Sequence, residues 1–325
     1  MIKNQWYAIA SSKEIKKNQL FSLKRLNMNL VLFRDNHNNI NALIDKCSHR
    51  GAALSKGKVQ NNCIQCPFHG LEFNGDGNCE KIPALGNFSK DNLKRFNIQN
   101  FLVKEQNEII YIWYGNNKVS SEIPFFEELK DDNFSMKEIT DIWNTHYSRA
   151  IENQLDVIHL PFIHHNTIGR GNKTLVNGPK TIIIENKTII TSANNEVDNG
   201  QKPLSPKESK IKNTFLKFNF PNIWLNHVSD NILIFIFFAP IDDENTKLYI
   251  RFYNKITNFK FINSFISIIG KYMNNIVQKQ DKRVVITQNP KKSELKIKEN
   301  LLQGDLPIIE YRKIRDCLQK GGFYG

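Results

Sequence analysis

What this 325-residue chain lacks narrows it before any motif is read. It has no long hydrophobic run. The longest, Ile232 to Pro240, falls far short of the roughly 20 residues a membrane helix needs. The stretch 259–277 is broken by Lys260, Asn263 and Lys271 and reads as an amphipathic helix. The opening, MIKNQWYAIA, has no signal-peptide core. Cysteine is scarce and odd in number, at Cys47, Cys63, Cys66, Cys79 and Cys317, which argues against a disulfide scaffold. There is no internal repeat, no glycine fingerprint for a nicotinamide or flavin cofactor, and no basic helix or stacking-aromatic motif for nucleic acid. These absences leave the expectation of a soluble, cytoplasmic protein that binds neither membrane nor nucleic acid.

What is present is enough apolar residue, 40%, to build one large or two ordinary cores. Residues 1–118 read as β-rich, with NLVLFRD, NALID, FLVKE and EIIYIWYG separated by Asn, Gly and Asp turns. The polar stretch GNNKVSSEIP, 115–124, is the expected boundary and predicts domains 1–118 and 119–325. From Asn144 to His165 the pattern is helical, and Pro161 is expected to end or bend that helix. Strands return at TIIIEN, KTIITSA, TFLKFNFPNIWLNHV, NILIFIFFAP and KLYIRFYNKI. The nearly apolar-free segment 194–212 predicts a mobile loop, and a long helix follows over about 263–288. Strands in both halves with helices grouped late predict the α+β class. The net charge of +13 is spread along the chain and reads as a solvated lysine surface, with attraction to an acidic redox partner as the functional alternative.

The most specific feature is Cys47-Ser48-His49, sixteen residues, then Cys66-Pro67-Phe68-His69. Two thiolates on one iron and two imidazoles on the other can hold a [2Fe–2S] cluster, at about −150 to +300 mV against about −400 mV for an all-cysteine plant-type cluster. The same four types suit zinc. Zinc fingers, however, pair two Cys and then two His, whereas each arm here carries one of each. Gly51, Gly57, Gly70, Gly75 and Gly77 suit two tight ligand loops rather than a finger helix. Cys63-Ile-Gln-Cys66 is also a CxxC, but without the βαβ surroundings of a redox motif.

The second half holds Asn153-Gln-Leu-Asp156-Val-Ile-His159-Leu-Pro-Phe-Ile-His164, with His165 as the competitor of His164. Two His and one carboxylate on one face of Fe(II) leave positions open for substrate and O2. Asp156 and His159 are i, i+3 and are expected to share a helical face. The carboxylate must come from downstream, where Asp230, Asp242, Asp243, Asp281 and Asp305 are candidates. Met273, Val277, Asp281, Val284 and Gln288 fall on one face of the late helix, which places Asp281 on an apolar stripe where an unpaired charge is costly and a metal would satisfy it.

CSHRGAALSKGKV and CPFHGLEFNGDGNC resemble the Rieske domain of ring-hydroxylating and related oxygenases, with Leu71 where an aromatic is usual. N-x-x-D-x-x-H-x-x-x-x-H and QDKRVVITQ resemble the catalytic signature of the same enzymes. The resemblance implies an N-terminal all-β Rieske domain and a helix-grip, START-like antiparallel-sheet catalytic domain. It implies Cys47, His49, Cys66 and His69 as ligands of a [2Fe–2S] cluster, and His159, His164 and Asp281 as ligands of a mononuclear Fe(II). It makes Asp156 a bridge towards a cluster histidine and places Asn153 near the iron. A homotrimer follows, the cluster of one subunit feeding the iron of its neighbour because the two centres of one chain would be too far apart. Lacking a cofactor fingerprint, the chain would draw electrons from a separate NAD(P)H-dependent reductase or ferredoxin. The implied activity is monohydroxylation or oxidative demethylation of a small organic substrate with O2, as in the single-component homotrimeric monooxygenases and demethylases. Arene cis-dihydroxylation is the alternative, and a Rieske electron-transfer or redox-sensing protein is the alternative of another class. Pocket walls are expected from Trp224–His227, 232–238 and the late helix.

Overall fold

Short apolar runs punctuated by asparagine become hairpins in the computed structural model, which describes residues 1–86, 93–116, 119 and 121–322. Asn27, Asn38, Asn62 and Asn107 turn the chain with positive φ, a conformation Asn tolerates better than most residues. The chain divides into two units, Asn4–Ser121, and Met1–Lys3 with everything from Glu122 onward.

The first unit contains β1 (Gln5–Ser11), β2 (Phe21–Arg25), β3 (Met28–Arg34), β4 (Ile40–Ile44), β5 (Lys58–Gln60), β6 (Cys63–Gln65), β7 (Glu72–Phe73), β8 (Cys79–Lys81), β9 (Asn100–Phe101), β10 (Val103–Gln106) and β11 (Ile109–Tyr114). They form three antiparallel sheets in the orders β1-β11-β10, β2-β3-β4-β9 and β5-β6-β7-β8. Val31, Phe33, Leu43, Ile64 and Phe73 make one core that also encloses Cys47 and Cys66. The two thiols are thus set into the packed interior and not on a free loop.

The second unit holds β12 (Ser135–Trp143), α1 (Tyr147–Leu155), α2 (Leu160–Ile163), β13 (Leu175–Val176), β14 (Thr181–Ile184), β15 (Thr188–Thr191), β16 (Asn195–Glu196), β17 (Phe215–Asn219), β18 (Ile223–Ser229), β19 (Ile232–Pro240), β20 (Thr246–Asn254), α3 (Lys260–Val285) and α4 (Leu306–Gln319). Seven strands form one antiparallel sheet in the order β12-β20-β19-β18-β17-β15-β14. Helix α3 packs against β12 and β20, α1 against β19 and α4 against β15. Trp143, Tyr147, Phe218, Phe238 and Tyr311 lie in the core between sheet and helices. Gly270 allows α3 its close approach, since a Cβ there would lie 2.5 Å from the Phe252 ring. The class is α+β, an all-β N-terminal unit followed by a large antiparallel sheet with helices. Among the described residues no helix is long and apolar enough to cross a membrane.

Three local expectations need correction. The helix expected over 144–165 is two helices, and Pro161 sits in the first turn of α2, where its missing N–H costs nothing. Asp156 leaves the helix with extended backbone (φ −72°, ψ 125°), so Asp156 and His159 share no helical face. The outward stripe of α3 is apolar, and it is not the stripe that carries Asp281. Met273 and Val284 are exposed, whereas the buried positions are Asn263, Ser267, Gly270, Gln278, Asp281 and Val285. Segment 194–212 contains the short strand β16 and is bonded to its surroundings. Asn195 Nδ2 donates to Val157 O, Asn194 Nδ2 to Lys210 O, and the Lys212 N–H to Ser192 Oγ.

Candidate metal centres

Cys47 and Cys66 head two matched turns. The Cys47 N–H bonds Ala52 O at 2.8 Å and the Gly51 N–H returns to Cys47 O at 2.9 Å. The Cys66 N–H bonds Leu71 O at 2.8 Å and the Gly70 N–H returns to Cys66 O at 3.1 Å. Closing each turn needs left-handed backbone, and both glycines supply it, at φ 76° and 74°. The thiols are buried at the base of the turns, while His49 and His69 are exposed with ring centroids 4.5 Å apart. Arg50 lies 5.5 Å from the centre of the Phe68 ring beside them.

Burial pushes the Cys47 thiol up to about 11, opposed by the backbone N–H groups of His49 and Arg50 and reinforced by the Cys66 thiol beside it. Such a pair becomes thiolate only when a cation supplies the opposing charge. Two buried thiols and two outward imidazoles therefore fit a cluster held asymmetrically, the chemistry of a Rieske centre. Cys63 and Cys79 are buried in the same unit but are not in the turns, and Cys317 lies in α4.

In the second unit the break after α1 brings His159 and His164 onto either side of α2, with ring centroids 5.2 Å apart. Asp281 reaches them from α3. Its Oδ1 is 2.9 Å from His164 Nε2 and 3.6 Å from His159 Nε2. Of the five downstream aspartates, Asp281 alone joins the two histidines, with one ligand atom from each residue within 4.8 Å of the others. Asp230 is 95% exposed beside His227, Asp242 organises a turn with Asn245, and Asp305 accepts from the Leu302 N–H. His165 is exposed and turns to Phe162 O.

The His164 ring is fixed from both sides. Its Nδ1–H donates to Gln280 Oε1 at 2.8 Å, and Gln280 is itself held by Thr167 Oγ1 and by its bond to Asn166 Oδ1. A neutral His164 in that tautomer turns the Nε2 lone pair towards the Asp281 carboxylate. Two acceptors 2.9 Å apart require a cation, either a proton or a metal. Burial lowers the basicity of His164, but Asp281 and Gln280 outweigh it and the imidazole is held above its ordinary pKa. The buried Asp281 Oδ1 has no hydrogen-bonding partner of good geometry. A divalent metal satisfies both the carboxylate and the imidazoles, so the donor set fits a 2-His-1-carboxylate iron. Asp156 stands behind His159, its Oδ2 3.5 Å from Nδ1. Burial would raise the Asp156 carboxyl, but His159 and the backbone N–H groups of Ile158 and His159 hold it below the usual carboxylate range.

The three residues lie at one end of a cavity of about 250 Å³ between sheet and α3. Leu216, Trp224, Asn226, Ile234, Ile236 and Ile250 wall it from one face of neighbouring strands, and Asn274, Val277, Gln278 and Asp281 from successive turns of α3. Asn153, on the last turn of α1, lines it with its Nδ2 unpartnered. The strand and helix walls are those expected, except that Trp224 and Asn226 face the cavity and His227 does not. Gln280 was missed, because nothing in its residue type or spacing sets it apart from the other glutamines of the helix.

Two family models match the chain, the Rieske [2Fe-2S] domain over residues 5–101 and the vanillate O-demethylase oxygenase C-terminal domain over 143–320. Over 170 residues the chain is 31% identical to the toluene-4-sulfonate monooxygenase system iron-sulfur subunit TsaM1 of Comamonas testosteroni, covering 52% of this chain and 48% of that protein. Over 165 residues it is 32% identical to the dicamba O-demethylase oxygenase component of Stenotrophomonas maltophilia, covering 50% and 48%. Over 170 residues it is 32% identical to the chloroplastic chlorophyllide a oxygenase of Chlamydomonas reinhardtii, covering 52% and 26%. The chain thus spans about half or less of the length of these curated relatives. Its fold is similar to that of NdmA from Pseudomonas putida CBB5, with TM-score 0.82, 23% identity and coverage of 98% and 92%. It is also similar to that of dicamba monooxygenase, with TM-score 0.72, 18% identity and 98% coverage of both chains.

Proposed function

This chain belongs to the Rieske oxygenases with a C-terminal domain of the vanillate O-demethylase type, and on that premise we propose that it is a terminal oxygenase component that monohydroxylates or oxidatively demethylates a small organic substrate. The observation that carries the reading is the meeting of His159, His164 and Asp281 at one end of a largely apolar cavity. An electron-transfer or redox-sensing protein needs no such cavity beside a second metal site.

When bound, the Rieske cluster passes single electrons and the mononuclear iron offers open positions for the reduction of O2. The residues of this chain do the rest. Cys47 and Cys66 hold one iron of the cluster as thiolates and His49 and His69 the other as imidazoles. His159, His164 and Asp281 would hold the mononuclear iron where they line the cavity. Gln280 fixes the tautomer of His164, and the Asp156 carboxylate stands 3.5 Å from His159 Nδ1. The aliphatic wall of Leu216, Ile234, Ile236 and Ile250 would exclude water and hold a substrate C–H bond in the cavity that His159, His164 and Asp281 line. A hydroxylated carbon that also bears oxygen or nitrogen collapses, and dealkylation results.

The proposal includes a separate reductase or ferredoxin and a homotrimer in which Asp156 of one subunit receives an N–H from a cluster histidine of the next. The relatives named for demethylation of dicamba and for monooxygenation of toluene-4-sulfonate support the reaction class. The test is a substrate screen with a surrogate reductase, scored by mass spectrometry for a gain of oxygen or a loss of CH2. Iron-replete protein that accepts electrons yet never couples them to any product, across neutral and charged aromatic panels, would rule the oxygenase reading out.

A further inference from the structure

Helix α3 is turned inside out relative to an ordinary surface helix, which buries an apolar stripe and shows water a polar one. Its buried side is mostly polar and small, with Asn263, Ser267, Gly270, Gln278 and Asp281, and that side packs on the sheet and reaches the metal site. Its outward side is Phe261, Phe265, Ile268, Ile269, Tyr272 and Ile276, with Phe261 74% exposed, Phe265 64% and Tyr272 63%. These six fall at i, i+4, i+7, i+8, i+11 and i+15, one helical face about 22 Å long. Phe259, just before the helix, continues the face, its ring 5.9 Å from that of Phe261. Single exposed apolar residues are ordinary, but a contiguous aromatic and aliphatic stripe marks a surface that something covers.

The charges around that stripe are of one sign. Between Ile256 and Val285 the only acidic residue is Asp281, which is buried at the metal site, whereas Lys260, Lys271, Lys279, Lys282 and Arg283 are basic. Lys282 is paired with Asp141 of β12. Lys279 and Arg283 stand seven residues beyond Tyr272 and Ile276, so they extend the outward face itself with two exposed cations. Lys260 begins the helix at the other end. A second copy of the chain is a poor cover for such a face. It is basic at both ends, so a copy laid along it in either direction sets cation against cation, and lysine is depleted from the cores of protein interfaces. An anionic bilayer complements both features. Its acyl chains take the aromatic and aliphatic side chains, and its phosphate headgroups take the lysines and the arginine. That no helix among the described residues can cross a membrane does not bear on a helix that lies in its surface.

We propose that the outward face of α3 docks this protein on an anionic lipid surface, with Phe261, Phe265, Ile269, Tyr272 and Ile276 among the acyl chains and Lys279 and Arg283 on the headgroups. The inference does not rest on the oxygenase reading. The test is flotation of the intact, iron-replete chain with vesicles of equal parts phosphatidylglycerol and phosphatidylcholine, against vesicles of phosphatidylcholine alone. The anionic vesicles should bind it more tightly by about tenfold or more, and added salt should shrink the difference. Phe265→Gln with Tyr272→Gln, and separately Lys279→Gln with Arg283→Gln, should each weaken binding to the anionic vesicles by about tenfold or more. All four side chains are exposed, so circular dichroism and the cluster spectrum should stay unchanged. A gain of signal checks the same face: the indole emission of Tyr272→Trp should move to the blue on anionic vesicles and be quenched by brominated lipid. Protein that floats with neither vesicle overturns the proposal, as does unchanged binding when Phe265 and Tyr272 are both replaced. Self-association that the same double replacement abolishes, without vesicle binding, also overturns it, because a second copy then covers the face.

Discussion

Gln280 holds His164 from behind while its chain neighbour Asp281 faces the same ring from the front. The Nδ1–H of His164 donates to Gln280 Oε1 at 2.8 Å, and Nε2 stands 2.9 Å from Asp281 Oδ1. One turn of α3 therefore sets both the position and the tautomer of a ligand that comes from a different helix. Gln280→Leu is expected to weaken iron binding by about 10–100-fold, the usual effect of losing a bond behind a metal-bound histidine. Gln280→Glu, which keeps an acceptor, should recover most of it. Titration of iron-free protein with Co(II), followed by its visible d–d bands, reads the affinity without turnover. Equal affinity of the Leu variant and wild type would mean that Asp281 alone orients the ring.

The purified protein should carry about three irons per chain, two with acid-labile sulfide and one without. Metal analysis that finds zinc and no sulfide would contradict both centres at once.

His159→Ala and Asp281→Ala should each remove the mononuclear iron while the visible spectrum of the cluster stays unchanged, since the two ligand sets lie in separate units. Iron quantification beside absorption spectra distinguishes the two sites. A full complement of iron in Asp281→Ala would send the search to another carboxylate.

Asp156→Asn should retain both metal centres and lose most turnover. The carboxylate lies 3.5 Å from His159 Nδ1, and its replacement by an amide removes the charge that favours N–H donors on either side. The fully reduced variant, mixed once with O2 and substrate, should oxidise its cluster far more slowly than wild type. An unchanged rate would show that electrons reach the iron by another route.

Acid stability should report an ion-pair network in which Arg149, Glu152 and Arg312 are buried and Glu299 is exposed. Burial alone would raise the Glu299 carboxyl, but Arg149 at 2.7 Å and Arg312 at 2.7 Å hold it below its ordinary 4.5. A folded pKa below the unfolded one adds stability above the unfolded value, and that stability is lost as pH falls through the folded one. Glu299→Gln should therefore lower the melting temperature at pH 7 and flatten its decline below about pH 4.5. In the sheet, Arg251 and Glu138 form a fully enclosed pair at 2.7 Å, both side chains 1% exposed. Arg251→Ala removes the guanidinium partner of that buried carboxylate and should cost about 3–5 kcal/mol. Chemical denaturation measures both effects, and an Arg251→Ala loss below 1 kcal/mol would mean that water reaches Glu138.

The ligand types and the strand pattern were readable from the residues alone because they are local properties. Cys47 and Cys66 head turns whose geometry is written in Gly51 and Gly70, and apolar alternation marks β18 to β20 wherever they pair. His159 and His164 lie five residues apart, so any short connection keeps them close. The sequence alone misplaced what depends on packing. It put Asp281 on an apolar stripe, whereas the buried stripe of α3 is polar and small, because that face must meet β12 and β20 closely and also present ligands to a cavity. It joined α1 to α2 through Asp156, although release of that residue into extended backbone is what turns its carboxylate towards His159. It had no means of finding Gln280, whose partner His164 is 116 residues away in the chain. Periodicity reports which side of an element is apolar. Only the folded chain decides which distant residues meet, as Asp281 and Gln280 meet His164.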